Sequence, residues 1–421
     1  MKRNTYLAAS AAGALAVVNA CRPLARRGWG AIGSFGWGWV ETELPRAAMV
    51  AHGVLVGHAA RSGVLRTRAG RAATVLNVAS AAGLAHLYRV GRNADEVLEA
   101  ALVDGLGRDY RTRQVPPSTR LDPAPVRRWR VPVGLSGRRR YVAASGRDLA
   151  YGDAGRRNHL DVWRRADLPD DARAPVLLQV HGGAWVMGEK TNQALPLLSH
   201  LAQRSWVCVA ITYRLSPKAA WPDLIVDVLK AVAWTKANIE RFGGDPGFVA
   251  ITGGSAGGHL AALAALAAGD PAFQPGFESA DTSVNAAVPL YGVYDWLNRH
   301  HASHDAILPW VEQRVIKQSV ADAREVFDRA SPLSRVHDAA PPFFVIHGSN
   351  DSLVPVEQAR SFADEMRKVS KSYVAYAELP LAQHAFDLVR SPRTVATIEA
   401  VERFLQVVYG DVRGAHPPVD P

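Results

Sequence analysis

The sequence predicts an α/β fold: a mostly parallel central sheet with helices on both faces, a helical N-terminal extension, and a helical cap inserted late in the chain. Two patterns lead to this. From residue 150 onward, short β-rich apolar runs alternate with segments of helical spacing, as in a parallel sheet covered on both sides. Before residue 150, the apolar runs are longer, alanine-rich and flanked by arginine. The two parts also differ in charge. The first 150 residues carry 23 Lys+Arg against 9 Asp+Glu, a net of +14, and the rest carry 26 against 30, a net of −4. The overall +10 of this 421-residue chain therefore belongs to its N-terminal third.

Composition narrows the function classes. An apolar content of 48% excludes a disordered or fibrous chain. Two cysteines, Cys21 and Cys208, exclude a disulfide scaffold and a thiolate zinc site. Arg outnumbers Lys 41 to 8 along the whole chain, so arginine content alone is no recognition signal, and no nucleic-acid partner is expected.

In chain order, Met1-Lys2-Arg3 and the apolar run Tyr6 to Val18 lead to Asn19-Ala20-Cys21. This layout fits a signal peptide cleaved after Ala20, an uncleaved anchor, or a plain alanine-rich helix. A lipobox ending at Cys21 fits Asn19 poorly. The run is shorter than the ~20 residues of a membrane span. Further apolar stretches lie at Ala47 to Ala60 and Ala72 to Tyr88, with Trp29, Trp37 and Trp39 in a glycine-rich piece between the first two runs. Apolar segments bordered by Arg and aromatics resemble interface helices, and a small helical subdomain packed on the remainder is the competing reading. The expectation is that residues 1–110 meet a membrane surface at the cell envelope. Asn93 and Glu96 read as a capping box for a helix through Leu106. Residues 111–140 read as a linker, with Pro116, Pro117, Pro123 and Pro125, followed by Arg127, Arg128, Arg130 and Arg138 to Arg140. That arginine run reads as a solvated hairpin face or a surface held near anionic lipid. Residues 141–410 form the catalytic part, and 411–421 form a tail.

Within 141–410, strands are expected at Pro175 to Val180, Val207 to Thr212, Phe248 to Thr252, Val288 to Tyr291, Phe343 to His347 and Tyr373 to Glu378. Helices are expected at Leu224 to Arg241, His259 to Ala268, Glu357 to Lys368 and Pro392 to Val408. The strand Phe248 to Thr252 runs straight into Gly253-Gly254-Ser255-Ala256-Gly257-Gly258. This is G-x-S-x-G between a strand and a helix, where a nucleophilic serine sits in strained geometry at a helix N-terminus. Gly253 and Gly257 let strand and helix approach closely. A P-loop lysine and a dinucleotide-binding glycine spacing are both missing. A serine needs a base, and the base needs an orienting acid, in chain order Ser, acid, His beyond strand ends. Asp351 follows one late strand and His384 the next, so Ser255, Asp351 and His384 are the expected set. Asp387 is the weaker candidate acid, and His347 reads as structural. A base of this type predicts activity rising through about pH 6 to 8. His181-Gly182-Gly183-Ala184-Trp185 follows another strand and can aim amides at an oxyanion. Gly183, Ala184 and Ala256 are the expected donors, with Gly182 permitting the loop's shape and His181 structural.

These motifs carry a resemblance. "HGGAW" at 181–185, "YRLSP" at 213–217, "GGSAGG" at 253–258, "SNDSLVP" at 349–355 and "LAQHAFD" at 381–387 resemble an α/β-hydrolase of the hormone-sensitive-lipase-like group over about residues 140–410. With its apolar extension, the whole chain is similar to the Lip-type carboxylesterases of mycobacteria and related actinomycetes. It departs at two positions, with Ala184 for the oxyanion loop's usual third glycine and Gly254 for the usual Asp before the nucleophile. The resemblance implies a serine carboxylesterase for short- to medium-chain acyl esters, working through an acyl-enzyme without a metal or organic cofactor. Lipase, deacetylase and amidase are alternatives on the same residues, and a silent membrane scaffold is an alternative from another class. The insertion at about 294–336 is expected to cap the pocket. His300, His301, His304 and Asp305 within it read as a solvated helix rather than a metal site. Trp185, Trp221, Trp296 and Trp310 are candidate pocket walls or core.

Overall fold

The computed structural model describes residues 3–26, 28–117, 135–299 and 307–414. Eight strands form one sheet in the order β1-β2-β4-β3-β5-β6-β7-β8. They are β1 (Leu149–Ala150), β2 (His159–Trp163), β3 (Ala174–Val180), β4 (Val207–Ile211), β5 (Gly244–Gly254), β6 (Ala286–Leu290), β7 (Phe343–Gly348) and β8 (Val374–Leu379). From β4 to β8 every pair is parallel, and only the β1–β2 and β2–β4 pairs are antiparallel. The expected α/β architecture holds, and all six expected strands are present. The edge strands β1 and β2 are additions to the expectation. β2 carries His159 and Asp161, which break the apolar run that marked the others.

Thirteen α-helices surround the sheet within the described residues: α1 (Arg3–Cys21), α2 (Gly28–Glu43), α3 (Pro45–Arg61), α4 (Arg68–Arg92), α5 (Ala94–Leu106), α6 (Leu135–Tyr141), α7 (Leu195–Gln203), α8 (Asp223–Asn238), α9 (Ala256–Leu266), α10 (Ile307–Trp310), α11 (Val320–Ala330), α12 (Glu357–Val369) and α13 (Pro392–Val412). Strand side chains alternate between two cores, as a period of two requires. Val176, Leu178, Val207, Val209, Val249 and Ile251 pack with α8, α9 and α12. Leu177, Cys208, Ala250, Val288, Phe344 and Ile346 pack with α5, α7 and α13 on the other face. α5 thus lies in the core against β8 and α13, although it precedes the proline-rich stretch.

Helices α1 to α4 pack together, and the polar residues of their apolar runs join them. Asn77 on α4 donates to Ser10 Oγ on α1 at 2.8 Å, and its Oδ1 accepts from His52 Nδ1 on α3 at 2.7 Å. Asn19 on α1 donates to the Ser34 carbonyl on α2 at 2.7 Å, and Ser34 Oγ returns a bond to Asn19 Oδ1 at 2.8 Å. Among the described residues, no helix is long and apolar enough to cross a membrane.

Local expectations were corrected in two places. Asn93 makes no side-chain capping bond, because it follows α4 so closely that its carbonyl takes the Glu96 amide in a continuing turn. Arg138 to Arg140 lie on the short helix α6 rather than a hairpin, with Arg138 bonded to buried Asp161 at 2.7 Å. Pro123, Pro125, Arg127, Arg128, Arg130, His300, His301, His304 and Asp305 lie outside the described residues.

Candidate active site

β5 delivers Ser255 and α9 begins at the next residue. Ser255 has φ 59° and ψ −123°, a conformation an L-residue holds only when its surroundings enforce it. Its amide donates to the Leu290 carbonyl at 3.0 Å and its carbonyl accepts from the His259 amide at 3.0 Å. A Cβ at Gly257 would lie 2.2 Å from the Val180 carbonyl oxygen, which is why the turn needs glycine there. Ser255 is partly buried at the head of a buried helix, where the dipole favours negative charge.

β7 and β8 lead into the loops that carry Asp351 and His384, the expected acid and base. Asp351 Oδ2 faces His384 Nδ1 at 2.6 Å, and both residues are buried. Asp351 Oδ1 accepts from the amides of Leu353 and Val354 at 2.9 and 2.8 Å. His347 Nε2 stands 3.3 Å from Asp351 Oδ2 and 2.9 Å from the Val354 carbonyl. Burial alone would raise the Asp351 pKa. The neighbouring His384 charge and the hydrogen bonds from His347 and His384 outweigh it and hold the carboxyl well below the usual range. An ionised Asp351 only accepts, so the proton in this contact sits on His384 Nδ1. The contact between Asp351 and His384 is already formed, whereas Ser255 Oγ makes no hydrogen bond among the described residues. Such bonds commonly tighten only with substrate.

Tyr291 links the two halves of the site. Its ring centroid lies 4.7 Å from that of His384, and its hydroxyl donates to buried Asp387. A Cβ at Gly254 would meet the Tyr291 hydroxyl at 2.5 Å, so the missing carboxylate at 254 has a steric cause. Asp387 is therefore the partner of Tyr291, and burial raises its pKa.

The loop after β3 is wound through three consecutive positive-φ residues, Gly183 (125°), Ala184 (49°) and Trp185 (63°). The Gly182 amide donates to Gln193 Oε1 at 2.6 Å, so Gly182 shapes the loop. The amides of Gly183, Ala184 and Ala256 make no hydrogen bond among the described residues, and the last is a helix N1 amide without an intrahelical acceptor. A Cβ at Gly182 would come 3.2 Å from Ser255 Cβ, which puts this loop over the serine. Trp185 is buried and donates to His259 Nδ1 at 3.1 Å, and His259 Nε2 donates to the Ala330 carbonyl at 2.8 Å. Burial pushes the pKa of His259 and of His181 down to about 4, so both stay neutral. Trp185, Trp221 and Trp296 form an edge-to-face cluster behind the loop, with Trp185 and Trp296 fully in the core. Trp310, at the end of α10, stays partly exposed and donates to the Ala184 carbonyl at 3.2 Å.

Gln193, Tyr291, Gln383 and the contact from His347 to Asp351 were not anticipated. Gln383 Oε1 accepts from the amides of both Ser352 and His384 at 3.0 Å, tying the Asp351 loop to the His384 loop. Its position next to His384 was the only available signal. Among the described residues, no group of three His, Cys, Asp or Glu is arranged to hold a metal.

Comparison with known proteins places the chain. The BD-FAE family model matches residues 160–366. The probable carboxylic ester hydrolase LipM of Mycobacterium tuberculosis is 50% identical over 98% of this chain and 95% of its own. Esterase LipQ of the same organism is 45% identical over 91% of this chain and 86% of its own. Among solved structures, the butyrate-bound esterase Est2 of Thermogutta terrifontis superposes with a TM-score of 0.53 at 24% identity, over 62% of this chain and 93% of that one, a likeness of fold. With this fold, and with identity that at 98% coverage extends into the N-terminal helices, the chain belongs to the Lip-type carboxylesterases within the hormone-sensitive-lipase-like group of α/β-hydrolases.

Proposed function

We propose that this carboxylic ester hydrolase cleaves short- to medium-chain acyl esters through an acyl-enzyme on Ser255. Ser255 Oγ attacks the ester carbonyl as Nε2 of His384 takes its proton, and Asp351 stabilises the imidazolium. The amides of Gly183, Ala184 and Ala256 hold the oxyanion in a site whose loop is already wound for it. The alcohol leaves with the proton from His384, and water activated by the same nitrogen releases the acid. The Asp351–His384 contact of 2.6 Å carries this reading, because it fixes the tautomer that leaves Nε2 as a base. Residues 1–110 bring the enzyme to a membrane surface of the cell envelope, a reading supported by their basic charge and exposed apolar side chains.

Ser255→Ala is expected to lower turnover of p-nitrophenyl butyrate by about four to six orders of magnitude and to abolish fluorophosphonate labelling. Its thermal unfolding is expected to match the wild type. Turnover retained in a clean preparation of the variant defeats the assignment. A panel of p-nitrophenyl esters of increasing chain length separates an esterase from a lipase on the same residues.

A further inference from the structure

Helix α2 has two faces with different surroundings. Ala31, Phe35, Gly38 and Trp39 recur at helical spacing on the face toward the loops of Asp351 and His384. The Ala31 carbonyl accepts from Ser352 Oγ at 3.1 Å, and the Trp39 indole donates to the Ala385 carbonyl at 2.8 Å. The Phe35 ring stands edge-on to the His384 imidazole with centroids 6.0 Å apart. A Cβ at Gly38 would lie 3.4 Å from the Gln383 amide, so the helix lies close to the residue preceding the base.

The opposite face of α2 carries Trp29, Ile32, Trp37 and Val40, all exposed, with Trp29 at 87% and Trp37 at 58%. Of the fifteen exposed large apolar side chains among the described residues, eleven lie in the first 93, so this is a regional feature rather than scatter. Leu24, just before α2, is exposed between Arg22 and Arg26, which are exposed too. Residues 1–93 hold 12 Lys+Arg and only two acids, Glu41 and Glu43, and both acids are buried. A solvent face of indoles and aliphatics beside guanidinium groups matches the interfacial zone of a bilayer, and the uncompensated positive charge matches anionic headgroups.

We propose that the outer face of α2 seats in the headgroup region of an anionic bilayer. Its inner face then holds the Asp351 and His384 loops at that surface, so esters carried in the membrane reach Ser255 past Phe35. The substrate class rests on the serine-esterase reading above, while the docking does not.

The test uses the full chain. Protein is sedimented with vesicles of equal parts phosphatidylcholine and phosphatidylglycerol, and with pure phosphatidylcholine vesicles for comparison. Turnover of water-soluble p-nitrophenyl butyrate is followed alongside, together with turnover of a long-chain fluorogenic ester dissolved in the mixed vesicles. Binding to the mixed vesicles is expected to fall about tenfold or more in the Trp29→Ser, Trp37→Ser double variant and to weaken with salt. The variant should cleave p-nitrophenyl butyrate as the wild type does, but the vesicle-borne ester about tenfold more slowly. Absent binding, equal binding by both proteins, or equal binding to both vesicle types overturns the docking. Self-association that is lost in the variant, with no vesicle binding, replaces the lipid by a second copy of the chain. If the wild type binds vesicles but does not cleave p-nitrophenyl butyrate, the esterase reading fails and the docking stands. If both proteins cleave the vesicle-borne ester equally, delivery from the membrane fails.

Discussion

Asp351 is buried, yet it is surrounded by donors: two amides on one oxygen and two imidazoles on the other. Those donors reward the ionised form, so the native state holds the proton less tightly than the unfolded chain does. The sign of the stability effect follows. With its folded pKa depressed below the ordinary 3.8, Asp351 contributes stability that is present above that value. The contribution is lost as pH falls from there toward the lower folded value. Asp351→Asn removes it, so the variant should show a shallower loss of stability below about pH 4 than the wild type in acid titrations followed by circular dichroism. At neutral pH the asparagine holds His384 in the wrong tautomer, and turnover should fall by about four orders of magnitude. A variant with the wild-type acid transition would show that this carboxylate is not held as described.

Among the elements, α2 shows where sequence reasoning stopped. Five glycines from Gly28 to Gly38 made this a glycine-rich piece with no helix expected, since each glycine costs roughly 1 kcal/mol relative to alanine in a helix. The helix exists because its inner face is packed, and tertiary packing outweighs propensity. The buried strands were legible because each is a short apolar run bounded by turn residues, and Ser255 was legible because its neighbours must be small. Gln193, Tyr291 and Gln383 were not legible, since each reaches the site through the fold rather than through spacing along the chain. At the end of α2, Glu43 pairs with Arg393 and accepts from Ser391 Oγ at 2.6 Å, all three side chains being buried. Removing one partner strands a buried charge, so Glu43→Ala should lose about 3–5 kcal/mol in denaturant unfolding. Changing both residues together, Glu43→Met with Arg393→Met, should recover most of it, because an apolar pair needs no compensation. If the single and double variants unfold alike, the pair is not what fastens α2 to α13.

On the scale of the whole molecule, charge and topology divide the chain differently. The basic excess ends before the sheet begins, which makes the N-terminal third look like a separable attachment. The contacts run across that boundary. Asn350 donates to the Ala20 and Cys21 carbonyls at 2.9 and 3.0 Å, and Ser352 reaches Ala31, so both residues flanking Asp351 are held from α1 and α2. Deleting residues 1–92 would leave Asn350, Ser352 and Arg393 without these partners and open the His384 loop to water. A mere membrane attachment could be removed with no effect on a soluble substrate. Here the truncated protein should lose at least about tenfold in kcat for p-nitrophenyl butyrate, with a smaller change in KM, because the loss falls on the alignment of acid and base rather than on ester binding. It should also unfold at a lower temperature, since buried polar groups lose their partners. Steady-state kinetics and thermal unfolding of the two proteins, both in detergent-free buffer, decide the matter. Full turnover in the truncated protein would make α1 to α4 an attachment after all.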